Sequence, residues 1–213
     1  MLRDMRINRI FEGSTEIMHL LIAREAVDQH LKIAGDVVFG DAGLGDRMKA
    51  AARAGAFYAR WFPSLTTGPG QRPGSFSEFG ELATHLRYVE RHSRKLARSI
   101  FYAMGRWQAG LEKRQAVLGR VVDIGAELFA MSAAVVYATT IREERPELAD
   151  EAAELADLFC KQAGRRVGDL FGALWSNDDA DNRALAARVL EGRYAFLEEG
   201  IIDPAGDAPL FGS

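Results

Sequence analysis

Cysteine is almost missing from this sequence: the 213 residues contain one, Cys160. No disulfide can close within the chain, and Cys160 lies in an apolar helical stretch, ELADLFCKQAG, where a buried packing thiol is expected rather than a reactive one. Uninterrupted apolar runs are short, and none reaches the roughly 20 residues that span a bilayer. The N-terminus scatters arginines through a segment with neither the apolar core nor the small-residue cleavage site of a signal peptide, so a cytoplasmic protein is the expectation. A strong charge of one sign is also lacking. With a net charge of -3 and a pI near 5.9, a general nucleic-acid role is not favoured. With 27% charged and 48% hydrophobic residues, disorder is not favoured either. Strand-type alternation, internal repeats, long heptad runs and low-complexity tails are absent as well.

What is present is helical periodicity nearly throughout, which makes the fold class all-α. The first helix is expected from Ser14 or Thr15, either of which can cap it, through Ile17, Leu20 and Leu21 to about Gly35. A glycine-rich loop, GDAGLGD, leads to Asp46, the expected cap of a short amphipathic helix over 47–62 that Pro63 stops. The stretch PSLTTGPGQRPGS holds three of the six prolines and reads as an exposed, mobile linker. Beyond it, Ser75 and Glu78 have capping-box spacing and open a helix with Leu82, Leu86, Val89, Leu96, Ile100 and Met104 on one face, ended by Gly110.

The next helix carries a stripe of Leu118, Val121, Val122, Leu128, Phe129, Val135 and Val136, wide enough for the central member of a bundle. Pro146 closes it and starts another with Leu155, Leu158, Phe159, Val167, Leu170 and Phe171 as its apolar face. SNDDADN caps a last helix ending near Gly200. The expected organisation is therefore a terminal helix over 1–35, a short helix and linker over 36–74, and an up-down four-helix bundle within 75–213.

The opening segment carries the most specific signal. Arg3-Asp4 is followed by RINRIFEGSTEI and then LLIARE. This order resembles the end of the catalytic domain of acyl-CoA dehydrogenases, where an RD pair precedes an IFEGT or IYEGT run and a helix ending in IAR. GRVVDIGAELFAMSAAVVYA, ADLFCKQAGRRVGDLF and the closing APLFG are similar to the helical extension of the long-chain and very-long-chain members. The likeness covers practically the whole chain and identifies it as the C-terminal portion of such an enzyme. The domains that supply most of the flavin pocket and the acyl cavity in that family precede this point, so the isolated chain is expected to be inactive.

Removing a proton beside a thioester carbonyl requires a carboxylate within hydrogen-bonding reach of that carbon, made more basic by a dry environment. Glu12 is flanked by Ile10 and Phe11, and Gly13 permits close backbone approach to a substrate. The resemblance makes Glu12 the catalytic base, with its backbone N–H helping to hold the thioester oxygen. It maps FAD contacts onto Ser14 and Glu16, and it implies a fatty acyl-CoA substrate and an electron-transfer flavoprotein as partner. Serine stands where the family has threonine, and Glu16 where a neutral polar residue is common. Without the family likeness, a glutamate ahead of a helix N-terminus is a solvated residue that favours the helix dipole.

Other signals are weaker. The helix over 47–62 sets Arg47, Lys49, Arg53 and Arg60 among Met48, Phe57, Trp61 and Phe62, which suits either packing on its own protein or peripheral contact with an anionic membrane. His85 and His92 lie seven apart on one helix with no second cluster to complete a metal set, and read as surface residues. Ile17, Leu20, Leu21 and Ile22 would be bare without a partner, so a homo-oligomer is expected. The competing reading is a non-catalytic helical module for dimerisation or membrane docking.

Overall fold

A computed structural model describes residues 15–38 and 43–198, and all of their regular structure is helical. Among the described residues six α-helices follow one another: α1 (Thr15–Val38), α2 (Leu44–Ser64), α3 (Ala83–Trp107), α4 (Gln115–Glu144), α5 (Ala149–Ala173) and α6 (Asp179–Leu190). Contacts divide the chain into two compact units, Met1–Trp175 and Ser176–Ser213.

The first unit is built around the antiparallel pair α4 and α5. The buried line on α4 runs Val117, Val121, Ile124, Leu128, Met131, Val135 and Ala138, alternating steps of four and three that keep one side of the helix against its neighbours. Facing it on α5 are Ala156, Cys160, Ala163, Val167 and Phe171. Small residues at three of these positions let the two backbones approach closely, and the Cys160 thiol points at the Met131 carbonyl at 3.7 Å. Cys160 is thus the packing thiol expected of it, and its burial pushes its pKa up to about 11. Helix α3 lays Ala83, Ile100 and Ala103 against this pair, with Leu86, Val89, Leu96 and Met104 half-buried beside them. Trp107 stacks on Trp175 at 5.7 Å between ring centres.

Several local expectations are corrected. Phe129 and Val136 belong to the expected α4 stripe, yet they are 75% and 51% exposed. Leu155 and Leu158 of α5 are likewise exposed. Helix α4 is also long and apolar enough to cross a membrane by length and composition. A search for uninterrupted apolar runs misses this because Asp123 and Glu127 fall within its first half. Its Ile124 and Val135 are fully buried in the seam with α5.

Ser75 and Glu78 do not form a capping box, since α3 starts only at Ala83 with no side-chain cap. Phe76 and Gly80 both adopt positive φ, 64° and 58°, which breaks Ser77–Leu82 into kinked 3-10 turns before α3 can begin. Helix α3 ends at Trp107, where Gln108 takes a φ of 46°, ahead of Gly110. Pro63 lies inside the last turn of α2 rather than beyond it.

The proline- and glycine-rich stretch is exposed over much of its length, but it is stitched to α3 rather than loose. Arg98 donates to the Leu65 carbonyl at 2.7 Å and Arg91 to the Gly70 carbonyl at 2.7 Å. The Gly70 N–H donates to Glu90 Oε2 at 3.0 Å, and Arg87 donates to the Ser75 carbonyl at 2.9 Å. Arg94 completes the row with a bond to the Ser64 carbonyl. Arginines one turn apart on one helix face thus supply the donors that this stretch of backbone requires.

In the second unit, Asn177 Oδ1 accepts the Asp179 N–H at 3.1 Å where α6 begins, and Asp179 and Asp181 sit in its first turn, where they favour the helix dipole. The helix stops ten residues before Gly200, and Gly192 turns the chain at a φ of 77°. No α6 residue is buried.

Candidate functional site

Of the residues singled out for chemistry, Glu12, Gly13 and Ser14 lie outside the described residues. Glu16 falls in the first turn of α1, and its side chain is also outside the description. What the structure does show is how α1, the helix that follows these residues, is held.

Helix α1 has two distinct faces. Ala23, 1% exposed, seats one face on the core, and Ala26 and Val27 pack beside it. His19 Nε2 reaches Asp123 Oδ1 of α4 at 3.4 Å, tying the first half of the helix to the central pair. His30, 8% exposed, ties the second half. Its Nδ1 lies 3.2 Å from the Tyr58 hydroxyl of α2, and its ring meets Trp61 at 5.0 Å and Phe101 of α3 at 6.0 Å. Phe101 in turn stacks edge-on with Tyr58 and Phe62, both at 4.9 Å. Such aromatic contacts add about 0.5–1.5 kcal/mol each beyond area burial, so α1, α2 and α3 meet in one firm cluster. Burial lowers the pKa of His30 and raises that of Tyr58, so the neutral imidazole is favoured here.

The opposite face of α1 is bare. Ile17 is 60% exposed, and Leu21 and Ile22 are half exposed, as expected, whereas Leu20 is partly covered. A helix fastened on one side and apolar on the other is a platform that something else completes.

His85 and His92 are not surface residues. His85 is buried and its Nε2 pairs with Asp157 Oδ1 at 2.8 Å, while Lys161 approaches the other carboxylate oxygen at 2.6 Å. Lys161 and then His85 hold the Asp157 carboxyl below its usual value. His92 is half-buried, stacked on Tyr88 at 3.7 Å with Nδ1 against the Tyr88 carbonyl, and burial lowers its pKa. The heptad spacing of the pair was visible in sequence, but its partner Asp157 lies 72 residues away and only the fold brings it near. Neither the His30–Tyr58 pair nor the His19–Asp123 pair was foreseen, and a lone histidine on an apolar helix face is the sole signal that could have flagged them.

Among the described residues no group of three or more His, Cys, Asp or Glu side chains could hold a metal ion. Open clefts among the described residues include the following two. One, of about 480 Å³, is lined by Leu65, Phe76, Val89, Glu90 and Arg94. The other, of about 670 Å³, lies between α4 and α5 and is lined by Asp123, Glu127, Phe159, Arg166 and Asp169. Glu127 and Arg166 close on each other there through two hydrogen bonds of 2.6 and 2.9 Å. The arginine in each cleft is already engaged by a carboxylate, Arg94 by Glu90 and Arg166 by Glu127, so neither cleft presents an uncommitted cation to the pyrophosphate of a dinucleotide. The described residues therefore do not fit FAD by themselves.

Comparison with known proteins places this chain in a family. The family model "ACAD9/ACADV, C-terminal domain" matches residues 80–192. A Mycobacterium tuberculosis protein named "Probable acyl-CoA dehydrogenase FadE10" is 59% identical over 214 aligned residues, covering 100% of this chain and 33% of that protein. The human "Very long-chain specific acyl-CoA dehydrogenase, mitochondrial" is 28% identical over 184 residues, covering 83% of this chain and 26% of that protein. A crystal structure of an acyl-CoA dehydrogenase complexed with FAD from Bacillus anthracis aligns with a TM-score of 0.49 and 22% identity over 88% of this chain and 29% of that one. The chain spans about a third of the length of its mycobacterial relatives. It belongs to the ACAD9/ACADV C-terminal domain family.

Proposed function

We propose that this chain supplies the catalytic base and the terminal helices of an enzyme that dehydrogenates fatty acyl-CoA thioesters at the α,β position. The observation that carries the reading is an alignment at 59% identity to a protein named as a probable acyl-CoA dehydrogenase that spans the whole chain and so takes in the IFEGST segment. Residues 1–35 are the end of the catalytic domain, 36–74 the connecting helix and segment, and 75–213 the C-terminal helical part.

Glu12 takes the α-proton of the thioester, and its backbone N–H holds the thioester oxygen as negative charge develops there. Gly13 leaves room for the substrate to approach the main chain. Helix α1, fastened through His19 and His30, fixes the direction from which the base arrives, because a positioned group gains most when its support is rigid. Ser14 and Glu16 are the proposed contacts to FAD. The rest of the flavin site belongs to parts of the enzyme beyond this segment, and no step is derived through it.

The further partners that this reading carries are a fatty acyl-CoA, an electron-transfer flavoprotein and a second copy of the chain, in a cytoplasmic setting. Peripheral membrane contact through 47–62 is less favoured, since Tyr58, Trp61 and Phe62 turn into the aromatic cluster. Met48 at 66% exposure and Phe57 at 37% are what the helix leaves for a lipid surface.

Absorption spectroscopy tests the reading. The purified 213-residue chain is expected to be colourless and to leave the spectrum of added FAD unchanged when an acyl-CoA is supplied. A polypeptide that joins it to the flavin-binding portion is expected to be yellow and to bleach with acyl-CoA. A joined polypeptide that binds flavin but never bleaches with any acyl-CoA would favour the non-catalytic module.

A further inference from the structure

Helix α1 is held unevenly along its length. Of the described residues in its first two turns, 15–22, none is buried, and Ala23 is the first that is. Behind Ala23, His30 sits in the aromatic cluster with Tyr58, Trp61 and Phe101. Ahead of it stands His19, whose Nε2 faces Asp123 Oδ1 of α4 at 3.4 Å.

The α4 side of that tie is firmly set. Asp123 lies between Val122, 7% exposed, and Ile124, fully buried, so packing on both sides fixes its place on the helix. The His19 ring rests over Gly119, one turn earlier on α4, with Nδ1 3.6 Å from the point a Cβ there would occupy. A methyl at 119 would just touch the ring, and anything longer would displace it. In the neighbouring cleft Glu127 and Arg166 are paired with each other, so that guanidinium does not draw Asp123 away from His19.

We propose that His19 and Asp123 are a positioning pair for Glu12, setting the direction in which the start of α1, and with it the base that precedes it in sequence, meets the α-carbon of the thioester. The inference rests on the reading of Glu12 as the base, and adds to it the α4 residue through which the C-terminal helices reach the chemistry. Leverage is the reason. At about 1.5 Å per residue, the Thr15 end of α1 lies about 6 Å ahead of His19 and about 12 Å ahead of Ala23. Without the pair the overhang beyond the first anchor doubles, and any tilt at that anchor moves the helix end twice as far. An apolar cover over Ile17, Leu21 and Ile22 does not replace the pair, because hydrophobic contact is not directional. A misplacement of about 1 Å at a reacting group costs about 10²-fold in rate. At 25% and 45% side-chain exposure the pair itself adds little to stability, so its loss is read in rate rather than in folding.

The test uses the polypeptide that joins this segment to the flavin-binding portion, with flavin bleaching followed at saturating acyl-CoA. His19→Ala and Asp123→Ala are each expected to slow bleaching about 10-fold to 100-fold, and the double variant no more than either alone. Flavin content, the acyl-CoA dissociation constant and the melting temperature are expected to stay unchanged. The slowed variants should discriminate more strongly against acyl-CoA deuterated at the α-carbon, since proton removal is the step that a misplaced base delays. His19→Gln, which keeps an N–H to face Asp123, is expected to recover most of the rate. Gly119→Leu is expected to reproduce His19→Ala without altering either partner, and Gly119→Ala to leave the rate as it was.

Wild-type bleaching in both His19→Ala and Asp123→Ala, while Glu12→Gln abolishes it, overturns this inference and leaves the reading of the base intact. A slow rate that comes with lost flavin, weaker acyl-CoA binding or a lower melting temperature overturns it in favour of a merely structural contact, as does a His19→Gln variant as slow as His19→Ala. Wild-type bleaching in Glu12→Gln overturns the reading and the inference together.

Discussion

At Gly70 a methyl group has no free space. A Cβ there would lie 2.8 Å from the Arg87 carbonyl oxygen and 3.1 Å from Arg91 Cγ, with the Glu90 carboxylate closer still. The side chains can swing aside, but the helical carbonyl of Arg87 cannot, so Gly70→Ala must lift the segment off α3. The movement stretches the Gly70 N–H bond to Glu90 and the Arg91 bond to the Gly70 carbonyl, now 3.0 and 2.7 Å. Each involves a charged group and is worth about 1.5–3 kcal/mol. Water takes over part of that at a partly buried site, and the expected net loss is about 2–4 kcal/mol. Gly74→Ala is the control, because nothing lies within 4 Å of its would-be Cβ. It should be neutral or stabilise by about 0.4–1 kcal/mol through the unfolded chain. Urea unfolding followed by helical circular dichroism measures both, and amide exchange at Gly70 and Gln71 should accelerate in the first variant alone. Equal stabilities for the two variants, within about 0.5 kcal/mol, would refute the claim that this segment is pinned.

Two further outcomes follow from the buried titrating groups. His30 and His92 both have pKa values lowered by burial, so the unfolded chain binds their protons more tightly than the folded one. Their contribution is intact above the unfolded pKa of about 6.5 and is lost as pH falls from there through the lowered folded values. The melting temperature should therefore drop between pH 7.5 and 5.0, and the double variant His30→Gln, His92→Gln should flatten that slope. Cys160, buried and with its pKa raised to about 11, should resist an aromatic disulfide reagent at pH 8 in the native protein and react promptly in denaturant.

Helix existence was legible in the sequence because a period of 3.6 survives any tertiary context, but helix faces were legible only where polar residues mark the outside. Helix α3, with its arginine-rich outer side, was read correctly through Leu86, Val89, Leu96 and Met104. Helix α4 has too few polar residues to mark its outside, and Phe129 and Val136 went to the wrong face. On α5 the seam is made by Ala156, Cys160 and Ala163, small residues that hydrophobicity ranks below Leu155 and Leu158, because close approach rather than side-chain size decides the contact. The false capping box at Ser75 and Glu78 has the right letters, but a left-handed Phe76 stands between them. The candidate site was legible as a string, RIFEGSTEI, since a family motif is a matter of order. The supports behind it, His19 on Asp123 and His30 on Tyr58, were not, because each joins residues far apart in the chain.

The most direct test of the account is the rate of flavin bleaching by an acyl-CoA in a polypeptide that joins this segment to the flavin-binding portion, measured before and after Glu12→Gln. The account predicts a loss of about 10²–10⁴-fold or more, with flavin absorbance and acyl-CoA binding retained. An unchanged bleaching rate would contradict it.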